Sequence, residues 1–440
     1  MTLKTFTRDF RRGLGSAIVE LKSNPKKEKY HNIVMKCCLK DIAHDTQIEG
    51  TKGHYLYTAI KIVGNCEEYL KKISEKYNEK LYWRISCQLF DILCCFADDG
   101  YAVANEVLEN RYKWFRKHLP TMKNYSFKYC ERECFENLMV RKLNGGLEGF
   151  KQCIDDMGEM IIEHGSDDCI FYDWFLCEAE EKIGEDIFSY LKNSEKKSVI
   201  AFYRSYSELK NERSTYKREI ETVTIKHLID KANELVATNN PFRMSGLPCK
   251  FAKNATADEL KLLAETALQE SSDFIKTSLL TTFHFVDFPL DIELLFPYVY
   301  YDNEYLREVV NERVLSRIKD RRIRAIVPEL FKNGDVDGAL ALLKLNFEID
   351  DEALIRKYAM RSKKIEYVAI RSVIDIYKDN RSKSCGDILL HFYKNVKCTH
   401  CRCDIVEAMI NNGVISQSVI EECKYDSYED TRELVKSMSV

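Results

Sequence analysis

Proline and glycine are scarce, with 7 and 17 in 440 residues. Sheet-rich domains need many tight turns built from these two residues, so the shortage argues against a large β-sandwich or barrel. Long helices joined by short polar turns fit it. Long apolar runs are also missing. None approaches the roughly 20 residues that cross a bilayer, and the mean hydropathy is −0.37. There is no basic excess either: 67 Lys and Arg face 70 Asp and Glu, a net charge of −3. Nucleic-acid modules draw much of their affinity from neutralising phosphate, so this balance disfavours them as a class. The local signatures of common enzymes are absent: there is no GxxxxGK[ST], no GxGxxG behind a strand, no GxSxG and no HExxH.

Apolar residues are present in strength, at 45%, enough for a large core, and charged residues reach 31%. That much charge suits an elongated stack, which has more surface per residue than a sphere. The 17 cysteines include the adjacent pairs Cys37-Cys38 and Cys94-Cys95, both inside apolar helical stretches. The first 23 residues are broken by Lys4, Arg8, Asp9, Arg11 and Arg12 and do not read as a secretion signal. Together these features point to reduced thiols acting as small hydrophobes in a cytoplasmic chain with no membrane partner and no cofactor.

Apolar spacing is helical nearly throughout. Ile85, Leu89, Ile92 and Phe96 recur at steps of three and four, Asp98-Asp99-Gly100 interrupts, and Val103, Val107, Tyr112 and Phe115 mark a second stripe. Two amphipathic helices across a short polar turn make one helical hairpin. The same grammar predicts helices over 26–43 and 52–63, and over 126–142 and 145–162, the last two split by Gly145-Gly146. From Glu208 to Lys231 charge dominates and the apolar spacing thins. Pro241, Gly246 and Pro248 then fall within eight residues. These shifts suggest an N-terminal helical-hairpin array over 1–165, charged bridging helices over 166–240, and a C-terminal array over 241–440.

The C-terminal part repeats. Leu294-Leu295-Phe296-Pro297 leads to Asp302 and then Leu306-Arg307; Ile326-Val327-Pro328 leads to Asp335 and Ala339-Leu340. The two prolines are 31 residues apart. A proline-bearing helix, a turn Asp and an apolar–Arg pair opening the next helix resemble the HEAT repeat, with 294–318 the best match. The chain also looks similar to bacterial HEAT-like repeat proteins. The resemblance covers 257–438 and, through hairpin grammar, 26–162. It implies an all-α, α-α superhelix, a solenoid of stacked hairpins with an Asp–Arg ladder along its turns. The 49 residues from Arg307 to Arg356 depart from a single regular repeat.

Four groups of residues are candidate sites. The polar segment 44–54 carries Asp45, Glu49 and His54, the types needed for acid–base work or ligand binding; it also reads as a solvated loop with Asp45 or Thr51 capping a helix. Tyr298, Tyr300, Tyr301 and Tyr305 cluster near one turn, as interface anchors do, or pack in the core with wet hydroxyls. Arg317, Lys319, Arg321, Arg322 and Arg324 lie in a stretch, 303–332, with eight basic and five acidic residues; this suits a phosphate-tracking groove or a self-paired charged turn. Cys398, Cys401 and Cys403 beside His400 could ligate zinc, with Cys385, His391 or Cys423 completing a set, or simply open a helix with two buried thiols. The expected function is a non-enzymatic scaffold or adaptor binding a protein partner on a concave solenoid face. The rivals are a nucleic-acid-binding HEAT-like protein, acting on damaged bases, and a ligand-binding or enzymatic site at 44–54.

Overall fold

The computed structural model describes residues 1–440 except 80–82, 119–124, 166–171, 185, 216–222, 245, 362–366, 437 and 439–440. At 46–47, 83–84, 125–133, 172–173, 209, 211–215 and 359 it describes the backbone alone. The ring of Trp83 and much of the charged stretch around Ile220 therefore fall outside the described residues. Every regular element among the described residues is helical. None of these helices is long and apolar enough to cross a membrane.

The chain divides into two compact units, 1–218 with 421–440, and 219–420. The sequence breaks at 165 and 240 both fall inside a unit. In the first unit the periodic stripe at Ile85 becomes the helix Trp83–Asp98, with Leu89, Ile92, Leu93 and Phe96 buried. Gly100 takes φ +91° in the turn that follows, a conformation costly for any side chain. The helix Ala102–His118 then folds back against Trp83–Asp98. Tyr125–Lys142 and Gly146–His164 form the next pair, joined where Gly146 adopts φ +64°. The helix Gly53–Val63 packs on Trp83–Asp98, which packs on Tyr125–Lys142, which packs on Tyr172–Ile183. Part of the segment read as exposed bridging helices is core here: Phe175, Leu176, Ala179, Ile187, Leu191, Val199 and Phe202 are all buried. Residues 421–440 close onto the start of the chain. The Ser427 N–H donates to Gly13 O at 2.9 Å, and Lys22 Nζ donates to the Tyr425 hydroxyl at 2.8 Å.

The second unit carries the regular repeat. Its first helices, Ile292–Tyr298, Arg321–Asn333, Glu352–Tyr358 and Gly386–Asn395, start 29, 31 and 34 residues apart. Its second helices, Glu304–Glu308, Val336–Asn346, Tyr367–Asp379 and Thr399–Asn411, start 32, 31 and 32 apart. The first of these continues through a π-helical turn, Val309–Val314. Consecutive second helices pack on one another, burying Leu340, Leu342, Leu343, Val373, Ile376, Ile405 and Val406. Each fully buried aliphatic side chain of this seam contributes roughly 1.5–3 kcal/mol.

Polar cross-links run between neighbouring hairpins. Arg324 clasps Asp351, Arg356 clasps Asp387 at 2.9 and 3.0 Å, Arg371 pairs with Asp404, and Lys344 with Asp375 at 2.6 Å. Buried asparagines tie the turns: Asn346 accepts the Asp320 N–H at 2.8 Å and donates to Ile318 O and Leu342 O at 2.9 and 3.0 Å. Asn412 does the same for Ser382, Tyr377 and Ala408.

Candidate functional site

The segment 44–54 is held from below. Gln88 is buried on Trp83–Asp98 and donates Nε2 to the carbonyls of Cys37, Cys38 and Lys40 at 3.1, 3.0 and 3.1 Å, satisfying the C-terminal end of the helix His31–Cys38. Glu49 turns inward, with a side chain 0% exposed, and accepts from the amides of His44 and Asp45. Lys52, equally buried, lies 3.6 Å from Glu49 and donates to Ile42 O at 3.0 Å. Glu49 is therefore a brace for the loop, and its carboxylate already has its partners.

His54 faces the other way. It is exposed at the start of Gly53–Val63, and its Nδ1 lies 3.2 Å from Cys95 Sγ. It forms part of the wall of a cavity of about 340 Å³ with Thr51, Cys87, Phe90, Asp91, Cys94, Asn137, Arg141, Asn144 and Lys182. Asp91 accepts a hydrogen bond from the Thr51 hydroxyl, and burial pushes its carboxyl above the usual range. A Cβ on Gly53 would lie 2.3 Å from Asp91 Cβ, so glycine is what lets the loop sit this close to the helix. Of the three residues expected here only His54 reaches the cavity wall. Asp91, Asn137 and Arg141 are the neighbours that sequence reading misses. Asn137, Arg141 and Asn144 follow helical spacing on one side of the chain, a polar stripe that was the available signal.

In the second unit the tyrosines do stand out. Tyr300, Tyr301 and Tyr305 are 44%, 38% and 39% exposed, and Leu294 nearby is 49%. Tyr298 is half-buried, accepting from Lys276 Nζ at 2.8 Å and edge-on to Tyr301 at 5.6 Å. The Tyr300 hydroxyl donates to Ile326 O at 3.4 Å, and Tyr305 meets Phe242 edge-on. A cleft of about 680 Å³ also borders Arg321–Asn333, lined by Ala325, Pro328, Leu345, Phe347 and Leu354 together with Lys319, Asp320, Arg321, Arg324, Asn346, Glu348 and Asp351.

Two of the five residues of the basic stretch are paired within the unit. Arg322 forks onto Asp320 and reaches Asp291 and Glu293, each at 3.0 Å. Arg324 holds Asp351 and lies 3.2 Å from Glu348. Arg317, Lys319 and Arg321 are exposed and form no salt bridge among the described residues.

Cys398 stands at the N-cap position of the helix Thr399–Asn411 without a side-chain cap hydrogen bond, Cys401 is buried, and Cys403 is half-buried. Among the described residues no three His, Cys, Asp or Glu side chains gather as a metal would require.

Compared with protein-family models, with curated proteins and with solved structures, the chain shows no match.

Proposed function

We propose that the chain is a scaffold whose second unit, a HEAT-like stack of helical hairpins, binds a protein partner. One observation carries this reading: the exposed tyrosines and a cleft of mixed apolar and charged lining flank the same helix, Arg321–Asn333. Exposed tyrosine supplies large contact area at low entropic cost. Pro328, Leu345, Phe347 and Leu354 on the wall of that cleft offer contact to an apolar anchor. The cross-hairpin Arg–Asp pairs and the start-to-start spacing near 31 residues support the stacked-hairpin part of the proposal.

A protein fits this surface better than nucleic acid does. Two of the five cations in the basic stretch are bound to carboxylates of the same unit, which leaves only Arg317, Lys319 and Arg321 to meet phosphate in a chain of net charge −3.

The test is capture from native lysate with and without nuclease, using the wild-type chain and a Y300A/Y301A/Y305A variant. A stoichiometric protein that survives nuclease and is lost from the variant, at unchanged thermal stability, supports the proposal. Capture that disappears with nuclease, or that ignores the tyrosines, contradicts it.

A further inference from the structure

We infer that Cys87 and Cys134 are an oxidation site for a hydroperoxide, closing to an intramolecular disulfide within the first unit. Cys87 lies on Trp83–Asp98 and Cys134 on Tyr125–Lys142, two helices packed against each other. Their sulfurs stand 3.8 Å apart, with the residues 5% and 1% exposed. A disulfide needs about 2.05 Å, so the sulfurs must close by somewhat less than 2 Å.

Access comes through the cavity. Cys87 is on the wall of the space of about 340 Å³ beside His54 and Asp91. Hydrogen peroxide is little larger than water, which occupies about 30 Å³ in the liquid. Arg141 and Lys182 line the same space. The other thiols nearby are held back. Burial, then Asp91 and Asp98, push Cys94 up to about 12, and burial with Asp91, Asp98 and Asp99 does the same to Cys95.

The chemistry balances. The Cys87 sulfur attacks one peroxide oxygen and the O–O bond breaks. That oxygen stays on sulfur as a sulfenic acid, and the other leaves as water. The Cys134 sulfur then attacks the Cys87 sulfur, the S–S bond forms, and the hydroxyl departs as a second water carrying the Cys134 thiol proton. Two thiols lose two electrons and one peroxide gains them. Cys134 Sγ, 3.5 Å from Ser86 Oγ, already has its thiol hydrogen directed into a hydrogen bond. The bridge joins positions 47 residues apart and so constrains the unfolded chain strongly.

The experiment exposes the reduced full-length chain to limiting hydrogen peroxide. Free thiols are then blocked with N-ethylmaleimide, and non-reducing peptide digests are mapped by mass spectrometry. The expected result is a Cys87–Cys134 linked peptide, 2 Da lighter than the two thiol peptides, reversed by dithiothreitol and formed at a rate independent of protein concentration. The oxidised chain melts several degrees higher. C134S, checked for an unchanged fold by its circular dichroism and melting, stops at a sulfenic acid on Cys87 that dimedone labels. The inference is overturned if both thiols remain alkylatable while other cysteines oxidise, or if dimedone labels C134S elsewhere.

Discussion

Arg324 and Asp351 face each other across two neighbouring hairpins in a two-pronged clasp, Nε to Oδ2 and Nη2 to Oδ1, both at 3.1 Å. Asp351 is buried, and its Oδ2 also accepts the Glu348 N–H at 2.8 Å, so one carboxylate closes both a turn and a hairpin contact. Replacing Asp351 by Asn keeps the volume and removes the charge. We expect D351N to lose about 1–3 kcal/mol, read as a lower urea midpoint at unchanged m-value. An unchanged midpoint would show that the clasp contributes nothing to the unit's stability.

Asn346 is predicted to matter more than its small size suggests. Its side chain serves an N–H and a carbonyl of the turn before Arg321–Asn333 and one carbonyl of its own helix. N346A strands those groups in the interior, at about 1–3 kcal/mol for each that water cannot reach. N346D is also destabilising, because a carboxylate cannot donate to Ile318 O. Equal stability of N346D and wild type by chemical denaturation would contradict this assignment.

Glu49 was a candidate ligand-binding residue in the sequence, and its placement yields a different prediction. E49A removes the carboxylate 3.6 Å from the buried Lys52 ammonium, a kind of change that typically costs about 3–5 kcal/mol. E49Q/K52M, which removes both charges, is expected to be milder. The check is thermal melting of the two variants side by side, and a stable E49A would return Glu49 to the list of binding residues.

Glu312, in the π-helical turn, has its carboxyl pushed up to about 8, first by burial and then by Glu308, Asp337 and Asp335. In the unfolded chain the same group titrates near 4.5. Between those values the folded state holds a proton that the unfolded state has released. Stability from this group is therefore fully present below the unfolded value and falls as pH rises toward 8. E312Q should flatten that slope in denaturation curves taken from pH 5 to 8.5; a slope that survives the substitution would assign it to other groups.

The helices were readable because their information is local. The stripe at Ile85, Leu89, Ile92 and Phe96, the Asp98-Asp99-Gly100 break and the Gly145-Gly146 break all mark elements by their neighbours in sequence. The exposed tyrosines were readable in kind, as a cluster of large side chains beside a turn. The orientation of Glu49 was not, because a carboxylate in a polar loop reads as solvated until Lys52 is seen buried beside it. Nor was the pairing of Cys87 with Cys134, which depends on the register of two helices 47 residues apart. Arg307 and Arg356 looked irregular at 49 residues because they belong to different helices of their hairpins: Arg307 is on a second helix and Arg356 on a first.

The central claim, that the surface around Arg321–Asn333 receives a protein, is tested most directly by photocrosslinking. A benzoylphenylalanine placed at Tyr301 or Leu345 should crosslink a single protein partner in native lysate, while the same group at Ile200, exposed in the first unit, should not. Crosslinks from all three positions, or from Ile200 alone, would contradict the account.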